Sequence, residues 1–289
     1  MLSYRHGFHA GNFADVHKHI ILALLLDCLK RKSSPFCYID THAGCGLYDL
    51  QSEFAQKKLE YETGIGRLWS LTDIPDNVGA FLDVVRMVNP GAVCRDNNLR
   101  FYPGSPLIAQ QLLRKDDRMF LLELHTSELP LLKAQFSSDK RVSVHHRDAW
   151  EGLLALIPPQ EKRGLVLIDP SYDSKGSFSG LTRAVIRAWH KWPTAVYAVW
   201  YPVQKQLPIP QFHYELRQAG IEEILVSEFN TVAPVAPARM TGSGMLIINP
   251  PWQSDQPIAE ITRWLAGVLD RGAHEKPRCE WLVTGTDQK

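Results

Sequence analysis

Apolar residues along the chain form short runs of strand length, separated by longer stretches in which apolar positions recur with a helical period. Between residue 100 and the C-terminus, six such runs predict β-strands, with helical stretches between the earlier ones. The runs lie at 119–124, 142–146, 165–169, 195–200, 224–229 and 244–249. An earlier run at 36–40 predicts one more strand. This alternation is typical of an α/β fold with a mostly parallel sheet.

The first apolar stretch has a different pattern and predicts a helix over residues 14–32, with a basic C-terminal end that suits the helix dipole. Its centre, 20–26, is continuously apolar, as in a targeting or membrane segment. It is far shorter than the roughly 20 residues of a membrane span. No small-residue cleavage site follows it. We therefore expect one buried helix, ended by Ser33, Ser34 and Pro35.

The composition is that of an ordinary globular protein, with 289 residues, 45% hydrophobic residues, 22% charged residues and a formal net charge of +1. This balance excludes a strongly basic, histone-like nucleic-acid binder but leaves room for a local basic face. The five cysteines are widely spaced and form no CxxC pair, so they predict no disulfide framework. Such cysteine usage favours a reducing, cytoplasmic location.

The candidate binding and catalytic residues lie where the predicted strands end, which is where open α/β sheets bind ligands. The strand at 36–40 ends in Asp40 and leads into a turn with Gly44 and Gly46, where a backbone without side chains can approach a ligand closely. The structural alternative is a plain tight turn. A nicotinamide cofactor is disfavoured, because Asp49 stands where a dinucleotide-binding loop has its third glycine.

Glu123 closes the strand at 119–124 and could accept hydrogen bonds from both hydroxyls of a ribose; the alternative is a solvated strand end. An acid of this kind usually follows the glycines by about 20 residues. Here the separation from Gly46 is far larger, and the excess matches the charged, mostly helical stretch at 51–100. We infer a small helical subdomain inserted after the first strand.

Two further sites combine a ligand role with a helix start. Asp148 and Ala149 follow the strand at 142–146, where the carboxylate can accept from the amine of a cofactor's adenine and the Ala149 backbone can touch the ring. The structural alternative is that Asp148 caps a helix at 149–157. Ser105 is predicted as the N-cap of an earlier helix, with Pro106 at its first position.

The segment LVLIDPSY, residues 165–172, resembles the [DNS]-P-P-[YFW] signature of amino-group methyltransferases, with Ser171 in place of the second proline. The N6 amine of adenine is a poor nucleophile, because its lone pair is delocalised into the ring. The Asp169 carboxylate and the Pro170 carbonyl would hold its two N–H groups and orient the amine towards a sulfonium methyl. Tyr172 would stack on a base that has left its helical stack. The structural alternative is a strand-ending turn with a structural tyrosine.

A second segment, Asn249-Pro250-Pro251-Trp252, fits the same signature more closely. In a class I methyltransferase sheet, however, the last strand runs antiparallel to the others. Its C-terminal end therefore points away from the edge that binds the cofactor. We expect this segment to turn the chain and to pack on the core.

The N-terminal segment combines cations with rings. Residues 1–32 have a net charge of +3 and interleave aromatic residues with histidines, which suits single-stranded or flipped nucleotides. A metal site built from His17, His19, His145 and His146 is conceivable. No cysteine or carboxylate arrangement completes it, so no metal is expected.

Several motifs, spread over nearly the whole chain, resemble the RlmJ family of 23S rRNA adenine-N6 methyltransferases. They are Tyr4-Arg5-His6, Phe8-His9-Ala10-Gly11-Asn12, Ala14-Asp15-Val16, Lys18-His19, Asp40-Thr41-His42-Ala43-Gly44, Tyr102-Pro103-Gly104-Ser105-Pro106-Leu107-Ile108-Ala109, Trp200-Tyr201-Pro202, Gly244-Met245 and Asn249-Pro250-Pro251-Trp252. The N-terminal motif is far more specific than a Rossmann glycine pattern.

The resemblance implies a Rossmann-like class I S-adenosylmethionine-dependent methyltransferase fold. The single domain would cover residues 1–289, with a substrate and cofactor segment at 1–32 and an inserted helical subdomain at about 51–100. It implies methylation of the N6 of a specific adenine in 23S rRNA, naked or early in assembly, by a monomeric cytoplasmic enzyme that does not bind a membrane. The implied cofactor contacts are His19, His42, Ser105, Glu123, Asp148 and Ala149, the implied catalytic residue is Asp169, and Tyr4 is implied to meet the RNA.

One departure and two alternatives remain. The family has D-P-P-Y where this chain has Ser171 as the third residue, so one ring that fixes backbone φ is lost. Residue chemistry alone leaves open a DNA adenine methyltransferase, and also a non-catalytic nucleic-acid-binding protein involved in the use of external DNA. We expect residues 1–12 to close over the cofactor and the flipped adenine, with Tyr4 in the lid; the alternative is that Tyr4 packs on the core.

Overall fold

An eight-stranded sheet forms the centre of the protein in a computed structural model that describes residues 5–91, 99–172, 177–233 and 240–285. The strands in chain order are β1 (Cys37–Asp40), β2 (Leu47–Asp49), β3 (Phe101–Pro103), β4 (Arg118–Leu122), β5 (Val142–His145), β6 (Gly164–Ile168), β7 (Val196–Val203), β8 (Ile224–Asn230), β9 (Gly242–Ile248) and β10 (Arg278–Val283). Strands β2 and β3 pair with each other outside the large sheet.

The order of strands in the large sheet is β10-β8-β9-β7-β6-β1-β4-β5. Strands β1, β4, β5, β6 and β7 pair in parallel, whereas β9 is antiparallel to both of its neighbours, β7 and β8. Strand β10 is antiparallel to β8. The carboxyl ends of β1, β4, β5 and β6 therefore meet at one edge, which we call the carboxyl edge, and β9 ends at the opposite edge.

Helices cover both faces of this sheet. In chain order they are α1 (Phe13–Lys30), α2 (Glu53–Lys58), α3 (Ile65–Trp69), α4 (Asp76–Met87), α5 (Ser105–Leu112), α6 (Glu128–Phe136), α7 (Ala149–Leu156), α8 (Ser177–Lys191), α9 (Ile209–Gln218) and α10 (Asp255–Val268). One apolar core lies under α1, α4, α5 and α10, and a second lies under α7, α8 and α9. Because helices cover the sheet on both faces, the central strands carry apolar side chains on both faces.

Helix α1 is the most buried helix of the first face. The Asn12 side chain accepts hydrogen bonds from the backbone N–H groups of Ala14 and Asp15 and so caps its first turn. Residues 20–26 are all buried, which confirms the prediction of one buried helix. None of the helices in the described ranges has the length and apolarity needed to cross a membrane.

The described elements between β2 and β3 are helices, namely α2, α3, α4 and a short 3-10 helix at Glu60–Thr63, joined by turns. Its buried side chains, such as Leu68, Phe81 and Val85, belong to the same apolar core as α1. The treatment of residues 51–100 as an inserted subdomain stays a proposal.

The expected strands are all present, with ends shifted by at most three residues. Three strands were not predicted. Strands β2 and β3 have three residues each and form only through their mutual pairing, while β10 carries the mixed sequence RCEWLV of an edge strand. Ser105 was wrongly predicted as an N-cap: Gly104 holds that position and Ser105 is the first helical residue. The Gly104 N–H donates to the Gly46 carbonyl, which fixes Gly104 in the extended conformation of a cap.

Candidate active site

A cavity of about 570 Å³ opens at the carboxyl edge, where β1, β4, β5 and β6 end. It is lined by nine residues that the sequence singled out, His19, His42, Gly44, Ser105, Glu123, Asp148, Ala149, Asp169 and Pro170. These residues come from six separate parts of the chain, so the parallel sheet brings them together. Tyr172 does not line this cavity, and Tyr4 lies outside the described residues.

The turn after β1 brings backbone close to the cavity. Gly44 and Gly46 have φ values of +63° and +86°, which glycine adopts without strain. A Cβ on Gly44 would lie 2.2 Å from the Tyr48 hydroxyl oxygen, so only glycine fits there. The Gly44 N–H donates to the Glu123 carboxylate at 2.7 Å and thereby ties the turn to the end of β4.

Glu123 holds its carboxylate at the cavity wall with two backbone donors, the N–H groups of Gly44 and His125, the latter at 2.6 Å. Burial raises the pKa of Glu123, and the two hydrogen bonds oppose that rise. Each carboxylate oxygen accepts one such bond and keeps a further lone pair for a ligand hydroxyl. The side chain is thus oriented before any ligand arrives.

Asp148 is the N-cap of a helix, which was the structural alternative to a role in ligand binding. Its carboxylate accepts from the backbone N–H groups of Trp150 and Glu151 and caps α7. The same residue also lines the cavity beside Ala149. A cap and a ligand contact are compatible, because a carboxylate has four acceptor positions and the cap engages one oxygen.

Asp169 and Pro170 follow β6 directly and line the cavity. Tyr172 is the aromatic residue of this motif, and its hydroxyl donates to the Trp200 carbonyl on β7. Its ring packs on Phe178 and against Trp200, with centroid distances of 4.9 Å and 5.7 Å. The tyrosine is therefore fixed at the strand end beside Asp169, half-buried.

Lys18 was not predicted as a site residue, yet its ammonium group donates to the Asp169 carboxylate. It also donates to Asp15 at 2.9 Å, and the other oxygen of Asp15 meets the His6 ring at 2.8 Å and the Gly11 N–H at 3.0 Å. The available signal was a lysine and an aspartate three residues apart in an otherwise apolar helix. Such charges are buried only when they are paired.

Charge in this cluster is set by pairing. Burial alone lowers the pKa of Lys18, but the carboxylates of Asp15 and Asp169 more than compensate and raise it above its usual value. Burial raises the pKa of Asp15, while His6 and Lys18 hold it well below its usual range. Lys18 thus stays protonated and Asp15 ionised at neutral pH.

The neighbouring histidines are held neutral. Burial lowers the pKa of His42 to about 4, against the opposing effect of Asp169 and Asp148. His19 shares a hydrogen bond of 2.8 Å with the Tyr102 hydroxyl, and burial lowers its pKa as well. Neither ring therefore competes with Lys18 as a cation near the carboxylate.

The second signature lies at the opposite edge of the sheet, as the antiparallel direction of β9 requires. Asn249 has a φ of +52°, and its side-chain amide donates to the carbonyls of Pro193 and Ala195, at the start of β7. The segment does turn the chain. The expectation that it packs on the core is wrong for Trp252, which is 84% exposed. Nor does it follow the last strand of the sheet, since β10 comes after it.

The conceivable metal site does not assemble. His17 shares hydrogen bonds with Ser243 and Ser227, both at 2.9 Å, whereas His19 bonds Tyr102. Within the described ranges, no group of three metal-binding side chains occurs.

Comparison with known proteins places the chain in a family. The family described as "Ribosomal RNA large subunit methyltransferase D, RlmJ" matches residues 33–283. The chain belongs to the RlmJ family. The proteins named Ribosomal RNA large subunit methyltransferase J from Escherichia coli (strain K12) and Haemophilus influenzae are 41% and 42% identical to it, over 98% of this chain and 99% of each relative. These names do not favour a non-catalytic DNA-binding protein.

The fold of this RlmJ family member agrees with a solved structure. A protein from Legionella pneumophila str. Philadelphia 1 is 35% identical, with a TM-score of 0.85, over 96% of this chain and 99% of that protein. The strand order and the reversed β9 are those of a class I methyltransferase sheet, so the predicted fold class is confirmed.

S-adenosylmethionine is the methyl donor of this methyltransferase, and the cavity fits it. A volume of about 570 Å³ lies within the usual range of roughly 300–1,000 Å³ for small-molecule sites. Glu123, Asp148 and Gly44 line the cavity. In a bound cofactor, Glu123 would accept from the ribose hydroxyls and Asp148 from the adenine amine, and Gly44 would allow a close backbone approach. When bound, the cofactor supplies an electrophilic methyl group on its sulfonium centre.

Proposed function

We propose that this protein methylates the exocyclic N6 of a specific adenine in 23S rRNA. The observation that carries the proposal is the placement of Asp169 and Pro170, two hydrogen-bond acceptors in sequence, in the wall of the cavity that fits the cofactor. The substrate class is supported by the relatives, whose names specify the large-subunit ribosomal RNA.

The two acceptors compensate for the weak nucleophilicity of the adenine amine by orienting it. The Asp169 carboxylate and the Pro170 carbonyl each accept one N–H of the adenine amine, which leaves its lone pair directed at the methyl group. Orientation of this kind can contribute up to about 7–11 kcal/mol to the rate. The proton that N6 loses on methylation has an acceptor at once in the carboxylate.

Lys18 holds the Asp169 carboxylate in place with a charged hydrogen bond. Its ammonium group is anchored by Asp15 at 2.9 Å, so the carboxylate that it holds has one defined position. An acceptor fixed in advance needs no reorganisation during the reaction. We assign Lys18 and Asp15 as positioning residues, since they act through Asp169.

Tyr172 supplies the stacking surface for the flipped base. Its hydroxyl and its two ring neighbours fix the ring beside Asp169. Stacking on an aromatic ring contributes roughly 1–3 kcal/mol per base and tolerates any base. In this proposal Tyr172 holds the base, and the acceptor pair selects its amine.

The N-terminal segment completes the site in the same proposal. His6 lines the cavity and bonds Asp15, and His9 bonds Glu60 at 2.8 Å, so this segment is held in place with His6 in the cavity wall. Tyr4 would then meet the RNA from this segment. We propose a monomeric enzyme that acts in the cytoplasm, on naked RNA or on RNA early in assembly.

The test compares the two signatures. Asp169→Ala should lower kcat on unmodified 23S rRNA by at least about 100-fold, equivalent to about 2.7 kcal/mol. Its affinity for S-adenosylhomocysteine should stay within a few-fold. Asn249→Ala is the matched control, which should lower the melting temperature but keep N6 methylation. The readout is nucleoside analysis of the RNA after incubation with labelled S-adenosylmethionine. A folded but inactive Asn249 variant, or an active Asp169 variant, would overturn the assignment.

A further inference from the structure

A second cavity, of about 670 Å³, lies outside the site described above. Its walls come from the end of β7 at Val203, the end of β8 at Asn230, helix α9 and strand β10. Strands β7 and β8 both run parallel to β6, so their carboxyl ends lie on the same edge as Asp169. The cavity therefore continues the carboxyl edge beyond the methylation site.

Aromatic contacts connect this cavity to Tyr172. The Tyr172 ring packs on Phe178 at 4.9 Å, Phe178 on Phe212 at 5.8 Å, and Phe212 on the cavity-lining His213 at 5.9 Å between centroids. Along β7, Val203 is three residues beyond Trp200, or about 10 Å at the usual strand rise. Stacked nucleotides rise by about 3.4 Å each, so the cavity lies within a few nucleotides of the target base.

Two cations in this cavity form no salt bridge with another described residue. Glu228 accepts from the Tyr201 hydroxyl at 2.5 Å and from Arg278 at 3.2 Å, and Glu275 accepts from the Asn230 amide at 2.6 Å. Both acids are therefore engaged. Lys205 and Arg217 are exposed, and no side-chain hydrogen bond or salt bridge joins them to other described residues. Arg217 interacts with an acid only at longer range, since it adds to the effect of Arg278 in lowering the pKa of Glu280. Free cations beside engaged acids favour an anionic ligand.

An exposed ring accompanies the two cations. Tyr214, on α9, lines the cavity and is 55% exposed, although large aromatic side chains are usually buried. Proteins bind single-stranded nucleic acid with this combination of groups. Cationic side chains contact the phosphate backbone, and aromatic rings stack on the bases.

We propose that this cavity binds the single-stranded RNA that flanks the target adenine. Lys205 and Arg217 contact its phosphates, and Tyr214 stacks on one of its bases. The inference rests on the proposed function, because it needs an RNA whose target base lies at Tyr172. It assigns to the α9 face a binding role distinct from cofactor binding and methyl transfer.

The first experiment removes the two cations together. For Lys205→Gln/Arg217→Gln, the Kd for a 23S rRNA fragment at moderate salt should rise by about fivefold or more. The slope of log K against log salt should become shallower by about 1.4, the value for two lost single-strand phosphate contacts. The Kd for S-adenosylhomocysteine should stay within twofold. The matched control is Lys115→Gln/Lys140→Gln, two exposed lysines that lie just before β4 and β5 and therefore on the opposite edge, which should change neither Kd nor slope.

The second experiment tests the ring. Tyr214→Ala should weaken RNA binding by about tenfold, whereas Tyr214→Phe, which keeps the stacking surface, should bind as the wild type does. The proposal is overturned if the cation variant retains the wild-type Kd and salt slope, or if the control pair weakens binding equally. It is also overturned if Tyr214→Ala binds as well as Tyr214→Phe. A protein that binds RNA in this way but leaves N6 unmethylated would overturn the proposed function alone.

Discussion

At the scale of single residues, sequence patterns did not predict the contact between Asp169 and Lys18. Asp169, Pro170 and Tyr172 were found together because they are adjacent in a recognisable motif. Lys18 is 151 residues away, and it meets Asp169 only because α1 crosses the carboxyl end of β6. The roles of Glu123 and Asp148 could be proposed from their positions after strands. Their hydrogen bonds to backbone N–H groups depend on turns whose geometry the sequence does not specify.

The first prediction follows from the burial of Lys18. Its side chain is 5% exposed and that of Asp15 is 2% exposed, so Lys18→Met leaves a buried carboxylate without its cation. Such a loss costs about 3–5 kcal/mol, whereas an exposed pair contributes about 0–1 kcal/mol. The pair of Lys30 and Asp27, whose side chains are 26% and 56% exposed, provides the control, Lys30→Met. Thermal unfolding should show a fall of roughly 10 °C for Lys18→Met and almost none for the control. Equal melting temperatures would contradict the structural role of Lys18.

At the scale of elements, the sequence predicted what depends on local pattern. The central strands were found because burial on both faces makes them continuously apolar, and α1 was found because it combines an apolar run with a basic end. Strands β2 and β3 depend on a partner more than 50 residues away, and no local pattern marks them. The segment at Asn249–Trp252 was expected to pack on the core because it ends away from the cofactor edge, but Trp252 after the turn at Asn249 lies in solvent.

Helix α1 also carries a pH-dependent contribution to stability. Burial lowers the pKa of His17 to about 3, while a histidine in the unfolded chain titrates near 6.5. As the pH falls below about 6.5, the unfolded state takes up the proton first. The stability that the protein gains from keeping His17 neutral is therefore fully present above that pH. The free energy of unfolding decreases as the pH falls from there towards 3.

His17→Leu removes this titration. Between pH of about 7.5 and 5, the free energy of unfolding of the wild type should fall by about 2 kcal/mol more than that of the variant. Urea unfolding at both pH values measures the difference, and the exposed residue change His190→Gln should follow the wild type. Parallel pH dependence of wild type and His17→Leu would show that His17 is protonated in the folded state.

At the scale of the whole molecule, the stretch between β2 and β3 is continuous with the core. Phe81 on α4 is fully buried, and its ring lies 6.4 Å from those of His19 and Tyr102. His19 and Tyr102 also share a hydrogen bond, so α4 packs directly behind a wall of the cofactor cavity. Packing of this kind predicts that the helices of this stretch unfold together with the sheet.

Phe81→Ala should therefore lower the stability of the entire protein by about 3–5 kcal/mol. The transition should stay single, with the same midpoint by tryptophan fluorescence and by circular dichroism. Trp69 and Trp192, on opposite faces of the sheet, report both cores by fluorescence. Met87→Ala, on the same helix but 55% exposed, should change stability by no more than about 0.5 kcal/mol. An early separate transition in Phe81→Ala would identify α2–α4 as an independent unit.

The position of α1 has a consequence for insertions and deletions in the gene. Three consecutive residues of this helix serve three parts of the protein: His17 bonds β8 and β9, Lys18 bonds Asp169, and His19 bonds Tyr102. One added or lost residue between the Asn12 cap and His17 turns all three side chains by about 100° relative to the cap. An in-frame change of a single codon there would break all three connections at once, although it removes none of the residues that make them.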